Sequence, residues 1–156
     1  MKKAIMILGY IFLVLLVVLI AGFVSLTVLG QRLDKESKAY VDVAIPAIIS
    51  TWDVKELEKR ASPEFNDDMD YDSLEQDFDT LRQLGKLTEY KGSSGDSNIT
   101  LSLQYGYEIT ADYTATADFE TGSAEIRMLL IKHGKKWQIL DLTINPESYA
   151  DKKDLV

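Results

Sequence analysis

Hydrophobic residues change their spacing twice along this chain, and each regime predicts a different kind of element. From Ala4 to Leu29 they form one unbroken run, AIMILGYIFLVLLVVLIAGFVSLTVL, which follows Lys2 and Lys3 and contains no charged side chain. About 26 residues at ~1.5 Å of helical rise each exceed the ~30 Å hydrocarbon core of a bilayer. The run therefore predicts a membrane-spanning helix, with Ala4, Leu13, Val18 and Leu29 in lipid.

After the run the apolar positions thin to a helical period. Gln31 to Ser37 reads as a juxtamembrane continuation or linker, and Tyr40, Val41, Ala44, Ile45, Ile48 and Trp52 then recur at three- and four-residue spacing, the stripe of an amphipathic helix that Pro46 should kink or restart. Asp53 and Glu56 form a capping-box pattern for a second short helix ending near Arg60, with Leu57 and Ala61 facing inward. Ser62-Pro63-Glu64 repeats helix-start chemistry, and Asn66 to Asp72 is an acidic loop. Asp72 is placed to cap a further helix, because Leu74, Phe78, Leu81 and Leu84 share one face, Glu75 holds the capping-box position and Gly85 follows as a stop.

From Lys86 onward the period becomes two. Ile99, Leu101, Leu103 and Tyr105 alternate with polar residues, and beyond Gly106 so do Ile109, Ala111, Tyr113, Ala115, Ala117 and Phe119. Turns at Thr121-Gly122-Ser123 and His133-Gly134-Lys135 lead into strands through Ala124 to Leu130 and Trp137 to Asn145. The pattern predicts about three helices followed by four long antiparallel strands and a shorter one near Leu87 to Lys91. This is an α+β domain with helices on the apolar face of a curved antiparallel sheet. The expected divisions are a transmembrane signal anchor over 1–30, a linker over 31–36, the α+β domain over 37–147 and a tail over 148–156.

Charge narrows the choice of partners. The chain has 17 basic and 25 acidic residues, and Lys2 and Lys3 are the only charges before Gln31, so the remainder carries a formal charge of −10. Such a surface repels phosphates, which argues against nucleic acid and against docking of the domain on anionic lipid. There is no cysteine, which excludes disulfides, thiolate nucleophiles, cysteine metal sites and a lipoprotein signal with its lipidated cysteine. A cleaved signal peptide would have a shorter apolar region, of about 7 to 15 residues, and Val28-Leu29-Gly30 is a poor cleavage pattern, so the run reads as an uncleaved anchor. Lys2, Lys3 and the α-amino group on one flank balance Arg32, Lys35 and Lys38 on the other. The short tail before an export-type segment favours an exported C-terminal domain.

The helix holding Ile48, Ile49 and Trp52, the Ser62-Pro63-Glu64-Phe65 turn, and the terminal hairpin IRMLLIKHGKKWQILDLTIN with Gly134, Trp137 and Ile139 together resemble the NTF2-like (cystatin-like) fold. The resemblance covers roughly Ser37 to Asn145. It implies N-terminal helices filling the concave side of a bent sheet. Similar domains serve as isomerases, dehydratases, ligand binders and, behind one membrane helix, subunits of secretion assemblies, so the resemblance bears on fold more than on function.

Candidate chemistry is sparse. In a regular strand Asp141 shares a face with Trp137 and Ile139, where a carboxyl among aromatics could act as a general base; a bulge would instead leave it solvated. Trp52, Phe78, Tyr113 and Trp137 are candidates to line a small apolar ligand cavity, with Tyr105 and Tyr107 on the same alternation, although aromatics at this spacing also simply fill cores. His133 at a hairpin tip reads as a turn residue. Asp68, Asp70, Asp72 and Asp79 stand at positions 1, 3, 5 and 12 of a calcium loop, but Ser73 replaces the required glycine. No phosphate loop, nucleophile elbow or zinc-protease motif occurs, and no cofactor is expected.

The resulting expectation is a single-pass protein of the bacterial inner membrane whose periplasmic domain is a non-enzymatic interaction or assembly module. It would act on an envelope protein or a second copy, pairing through the sheet face that holds Thr110, Asp112, Thr114, Thr116, Arg127 and Leu129. The alternatives are a binder of a small apolar ligand and a tethered isomerase or lyase using Asp141.

Overall fold

The computed structural model describes residues 2–102 and 106–148. Helix α1 runs over Lys2–Ile49 and is followed by three short helices, α2 (Val54–Glu58), α3 (Pro63–Asp68) and α4 (Tyr71–Leu81), the last extended by a tight turn at Arg82–Leu84. Four strands complete the chain: β1 (Leu87–Ser102), β2 (Gly106–Phe119), β3 (Gly122–His133) and β4 (Lys136–Ser148). The α+β class read from the sequence is the one found. The chain divides into two compact units, Met1–Leu33 and Asp34–Val156.

The first unit is helix throughout its described length, long and apolar enough to cross a membrane. Its described apolar side chains point outward as far as Leu29, with Leu13, Val18 and Leu29 all exposed; Leu33 at its end is buried, and Ala4 also lies within the helix. Its hydroxyls are satisfied by the helix itself, Ser25 Oγ donating to the Ala21 carbonyl at 2.8 Å and Thr27 Oγ1 to that of Val24 at 2.8 Å. Such back-bonding removes the need for outside partners.

In the second unit the sheet is a simple antiparallel meander in the order β1-β2-β3-β4. Its buried face carries Ala111, Tyr113, Ala115, Ala117 and Phe119 of β2 and Ala124, Ile126, Met128 and Leu130 of β3, facing a core completed by Val41, Ala44, Ile45, Ile48 and Ile49 of α1. Small alanines on β2 leave room for a helix. Fully burying each large side chain contributes ~1.5 to 3 kcal/mol. Gln31 to Ser37 is helical rather than a linker, and Pro46 sits inside α1 one turn before its end, where few backbone bonds are left to lose. Trp52 then ends the helical path at a positive φ of 50°, its N–H donating to the Ile48 carbonyl at 2.8 Å.

Both edges of the meander are partly closed. On β1 the free edge meets a polar stripe of α1. The Asp34 carboxylate accepts from the Ser97 backbone N–H at 2.8 Å, that of Asp42 accepts from the Ser93 N–H at 3.1 Å, and Lys38 Nζ donates to the Ser93 carbonyl at 2.6 Å. Residues 34, 38 and 42 lie one turn apart, so the helix offers β1 the donors and acceptors that a fifth strand would offer. This stripe also joins two predicted pieces, since the short strand at Leu87 and the strand at Ile99 are one continuous β1 with a bulge between Tyr90 and Ser93. On β4, Ile139 donates its N–H to the Arg60 carbonyl at 2.8 Å and accepts from the Ser62 N–H at 2.8 Å, so the segment joining α2 to α3 covers the first half of that edge.

Candidate functional site

Three caps position the short helices. Asp53 caps α2 by accepting from the Lys55 N–H at 2.9 Å, while Glu56 turns outward to Lys59 and Arg60 instead of returning to the cap. Ser62 caps α3, accepting from the Phe65 N–H at 3.2 Å, with Pro63 in the first turn as the sequence suggests. Asp70, not Asp72, caps α4: its carboxylate accepts from the N–H groups of Asp72 and Ser73 and from the Ser73 hydroxyl at 2.7 Å. Those bonds, led by the Ser73 hydroxyl, hold the Asp70 carboxyl below its ordinary value.

Between α2, α3 and α4 on one side and β4 on the other lies a half-open cleft of about 330 Å³. One wall is Leu142, Ile144 and Pro146 of β4; the other is Leu57, Phe65, Met69, Leu74, Phe78 and Leu81 of α2 to α4. A smaller acidic notch adjoins it, shared by Glu64, Asp68 and Asp141 with Phe65, Met69 and Leu140. Backbone and Ser62 hydrogen bonds at the start of α3 keep the Glu64 carboxyl low, so this side of the notch is anionic at neutral pH.

The cleft exists because β4 is bulged. Leu129 pairs with Asp141 while the adjacent Leu130 pairs with Ile139, which places Leu140 as the extra residue. The bulge turns Leu142 and Ile144 onto the same face as Ile139 and sends Asp141 to the exposed face, where its carboxylate accepts from Thr143 Oγ1 at 3.3 Å. Asp141 therefore does not share a buried face with Trp137, and the geometry expected for a desolvated general base is not formed. The sequence signal for the bulge is that Trp137 and Ile139 are apolar on one parity of β4, and Leu140, Leu142 and Ile144 on the other.

The four candidate pocket residues occupy separate places. Trp52 is 3% exposed and sits between Phe78, edge-on at 5.7 Å, and Phe119, stacked at 5.6 Å. Tyr113 is 1% exposed, with its hydroxyl 2.9 Å from Ser37 Oγ and donating to the Asp34 carbonyl at 3.1 Å. Trp137 lies under Lys132 Nζ at 5.1 Å. Of the four only Phe78 lines the cleft; Leu57, Leu74 and Leu81, which also line it, read in the sequence as inward-facing helix positions and not as pocket residues. Tyr107 is exposed, and Tyr105 lies outside the described residues.

The calcium-loop aspartates are not brought together. Asp68 ends α3, Asp70 serves as a cap, Asp72 is in the first turn of α4, and Asp79 pairs with Arg82. Among the described residues no group of three or more His, Asp or Glu side chains could hold a metal ion. His133 is exposed, 3.3 Å from Glu64 and 3.0 Å from the Gln138 amide oxygen. The outer sheet face is polar and partly self-paired, with Arg127 Nε donating to Asp112 at 3.0 Å. Comparison of the chain with protein-family models, with curated proteins and with solved structures gives no match.

Proposed function

We propose that this is a single-pass membrane protein whose C-terminal domain, of NTF2-like build, is a non-enzymatic module that binds a segment of another protein in the cleft between β4 and helices α3 and α4. The supporting observation is the coincidence of an apolar cleft with the uncovered second half of an edge strand, two features that proteins use together to take up extended segments. Carboxylates in and around the cleft serve as caps or face solvent, and none is held in a desolvated pair of the kind that acid–base catalysis uses. The sheet face expected to pair with another copy is less suited to this role, because it is polar and its basic group on β3, Arg127, is already paired with Asp112 of β2.

The test is site-specific photo-crosslinking in cells with the full-length chain. A photoreactive residue replacing Leu74, in the cleft wall, should give a discrete adduct with another protein, and one replacing Thr116, on the outer face, should not. Equal labelling from both positions, or none from Leu74, overturns the reading.

A further inference from the structure

We infer that the segment bound in this cleft is an extended strand that alternates apolar with basic residues and adds to the free edge of β4. This inference rests on the proposed binding role of the cleft and specifies its ligand.

The backbone geometry of β4 carries the first half of the argument. In an antiparallel ladder alternate residues direct their N–H and C=O to opposite sides. Ile139 directs both outward, to Ser62 and Arg60, so its partner Leu130 directs its own toward β2. Strand β3 pairs with β2 without a register shift, so Met128 and Ile126 do the same, and their partners Leu142 and Ile144 must therefore present N–H and C=O outward. Among the described residues nothing meets those groups. Arg60 and Ser62 already bond to Ile139 through one parallel bridge before α3 turns away, so the outward side of β4 takes backbone partners at its start. The side chains of Leu142 and Ile144 meanwhile form the wall of the cleft. A strand laid here would bond to β4 through its backbone and drop alternate side chains into the apolar space.

The surrounding charge selects the partner. Between Pro63 and Gly85 there are eight acidic residues and one basic residue, Arg82, and Arg82 is occupied by Asp79 and Glu75. Asp67, Asp68 and Asp77 are exposed and have no ion-pair partner among the described residues. Asp77 lines the cleft, and Asp68 lines the notch with Glu64 and Asp141. Asp141, on the outer face of β4 and in the notch with Glu64 and Asp68, favours lysine or arginine at the positions of the incoming strand that point away from the cleft, and the acidic surroundings as a whole disfavour a second copy of this domain.

The test uses the full-length chain in detergent micelles and two fluorescent ten-residue peptides, one alternating valine with lysine and one valine with glutamate, read by anisotropy. The lysine peptide should bind at least tenfold more tightly than the glutamate peptide, and its affinity should fall with added salt. Asp68→Lys with Asp77→Lys, both at exposed positions, should weaken it at least tenfold. Ile144→Pro removes an outward donor without touching the ladder to β3, as Pro146 already does two residues on, and should abolish binding of either peptide. If Ile144→Pro abolishes binding but charge reversal has no effect, the basic character is refuted while the cleft's binding role stands. If Ile144→Pro leaves binding intact, edge addition is refuted. If neither peptide binds and the Leu74 crosslink is also absent, both readings fall. Binding that appears only after removal of residues 149–156 would identify the chain's own tail as the occupant and overturn the proposal.

Discussion

At the scale of single residues, Trp52 concentrates the costs and gains of this fold. Its φ of 50° is unfavourable for a residue with a Cβ, and its indole N–H is buried without a hydrogen-bond partner. What holds it there is packing: Trp52 lies against Phe78 and Phe119, and its carbonyl accepts from Arg82 Nη2 at 2.7 Å, tying the end of α1 to the end of α4. Trp52→Ala should therefore cost ~3 to 5 kcal/mol, read by denaturant unfolding, because the lost contacts outweigh the relieved N–H. A loss below about 1 kcal/mol would mean that the cluster collapses around the gap. Asp42 makes a second prediction. Burial pushes its carboxyl up, but hydrogen bonds from Ser93, Lys38 and Tyr90 together outweigh burial and hold it below its ordinary value. With the folded value below the unfolded one, near ~3.9, its contribution is complete above the unfolded value and is lost as pH falls through the folded one. Asp42→Asn should then be less stable than the parent at pH 7, and the difference should shrink below about pH 4 in chemical denaturation at both values. A pH-independent difference would show that the asparagine loses packing and not a charge-assisted bond.

The elements differ in how well their own residues announce them. Helices α2 and α3 follow from caps at Asp53 and Ser62, because capping is a local interaction between residues two or three apart. Strands β2 and β3 follow from the period-two burial of Ala111 to Phe119 and Ala124 to Leu130. Strand β1 was not readable as one piece, since KGSSGDSN between Lys91 and Asn98 has the composition of a loop. It is a strand because Asp34, Lys38 and Asp42 close its edge from the side, a contact between residues more than fifty positions apart that no local pattern encodes. The cleft was hidden for a similar reason: its wall depends on a bulge at Leu140, and its helices are set by Asp70 where Asp72 offered the equally plausible cap. Gly95 tests the account of β1. A Cβ there would stand 2.0 Å from the Asp112 carbonyl oxygen and 2.8 Å from Tyr113 Cα, both backbone atoms that cannot rotate away. Gly95→Ala should cost ~3 kcal/mol, at the upper end of overpacking penalties, visible as a lower thermal midpoint. A variant as stable as the parent would show that β1 does not lie this close to β2.

On the scale of the whole molecule, two surfaces of opposite character share one chain. The described apolar side chains before Gln31 turn outward, Tyr10, Phe12 and Phe23 each about 70% exposed, whereas the remainder from Gln31 presents a formal charge of −10. Water is a poor solvent for the first and lipid for the second, so a bilayer boundary between them satisfies both. We propose that the acidic part is exported, on the basis of the short Lys2-Lys3 tail, although Arg32, Lys35 and Lys38 oppose that bias. A reporter fused after Val156 and active only outside the cytoplasm should be active on a full-length product that stays with the membrane fraction. Because the basic residues are so nearly balanced, Lys2→Gln with Lys3→Gln should lower the reporter signal by shifting the bias to the opposite flank, and Arg32→Gln with Lys35→Gln should preserve or raise it. An inactive reporter in the parent, or a shortened soluble product, would overturn the orientation or the anchor respectively. No response to either pair of substitutions would mean that charge does not set the topology and that the apolar segment alone commits the chain to export.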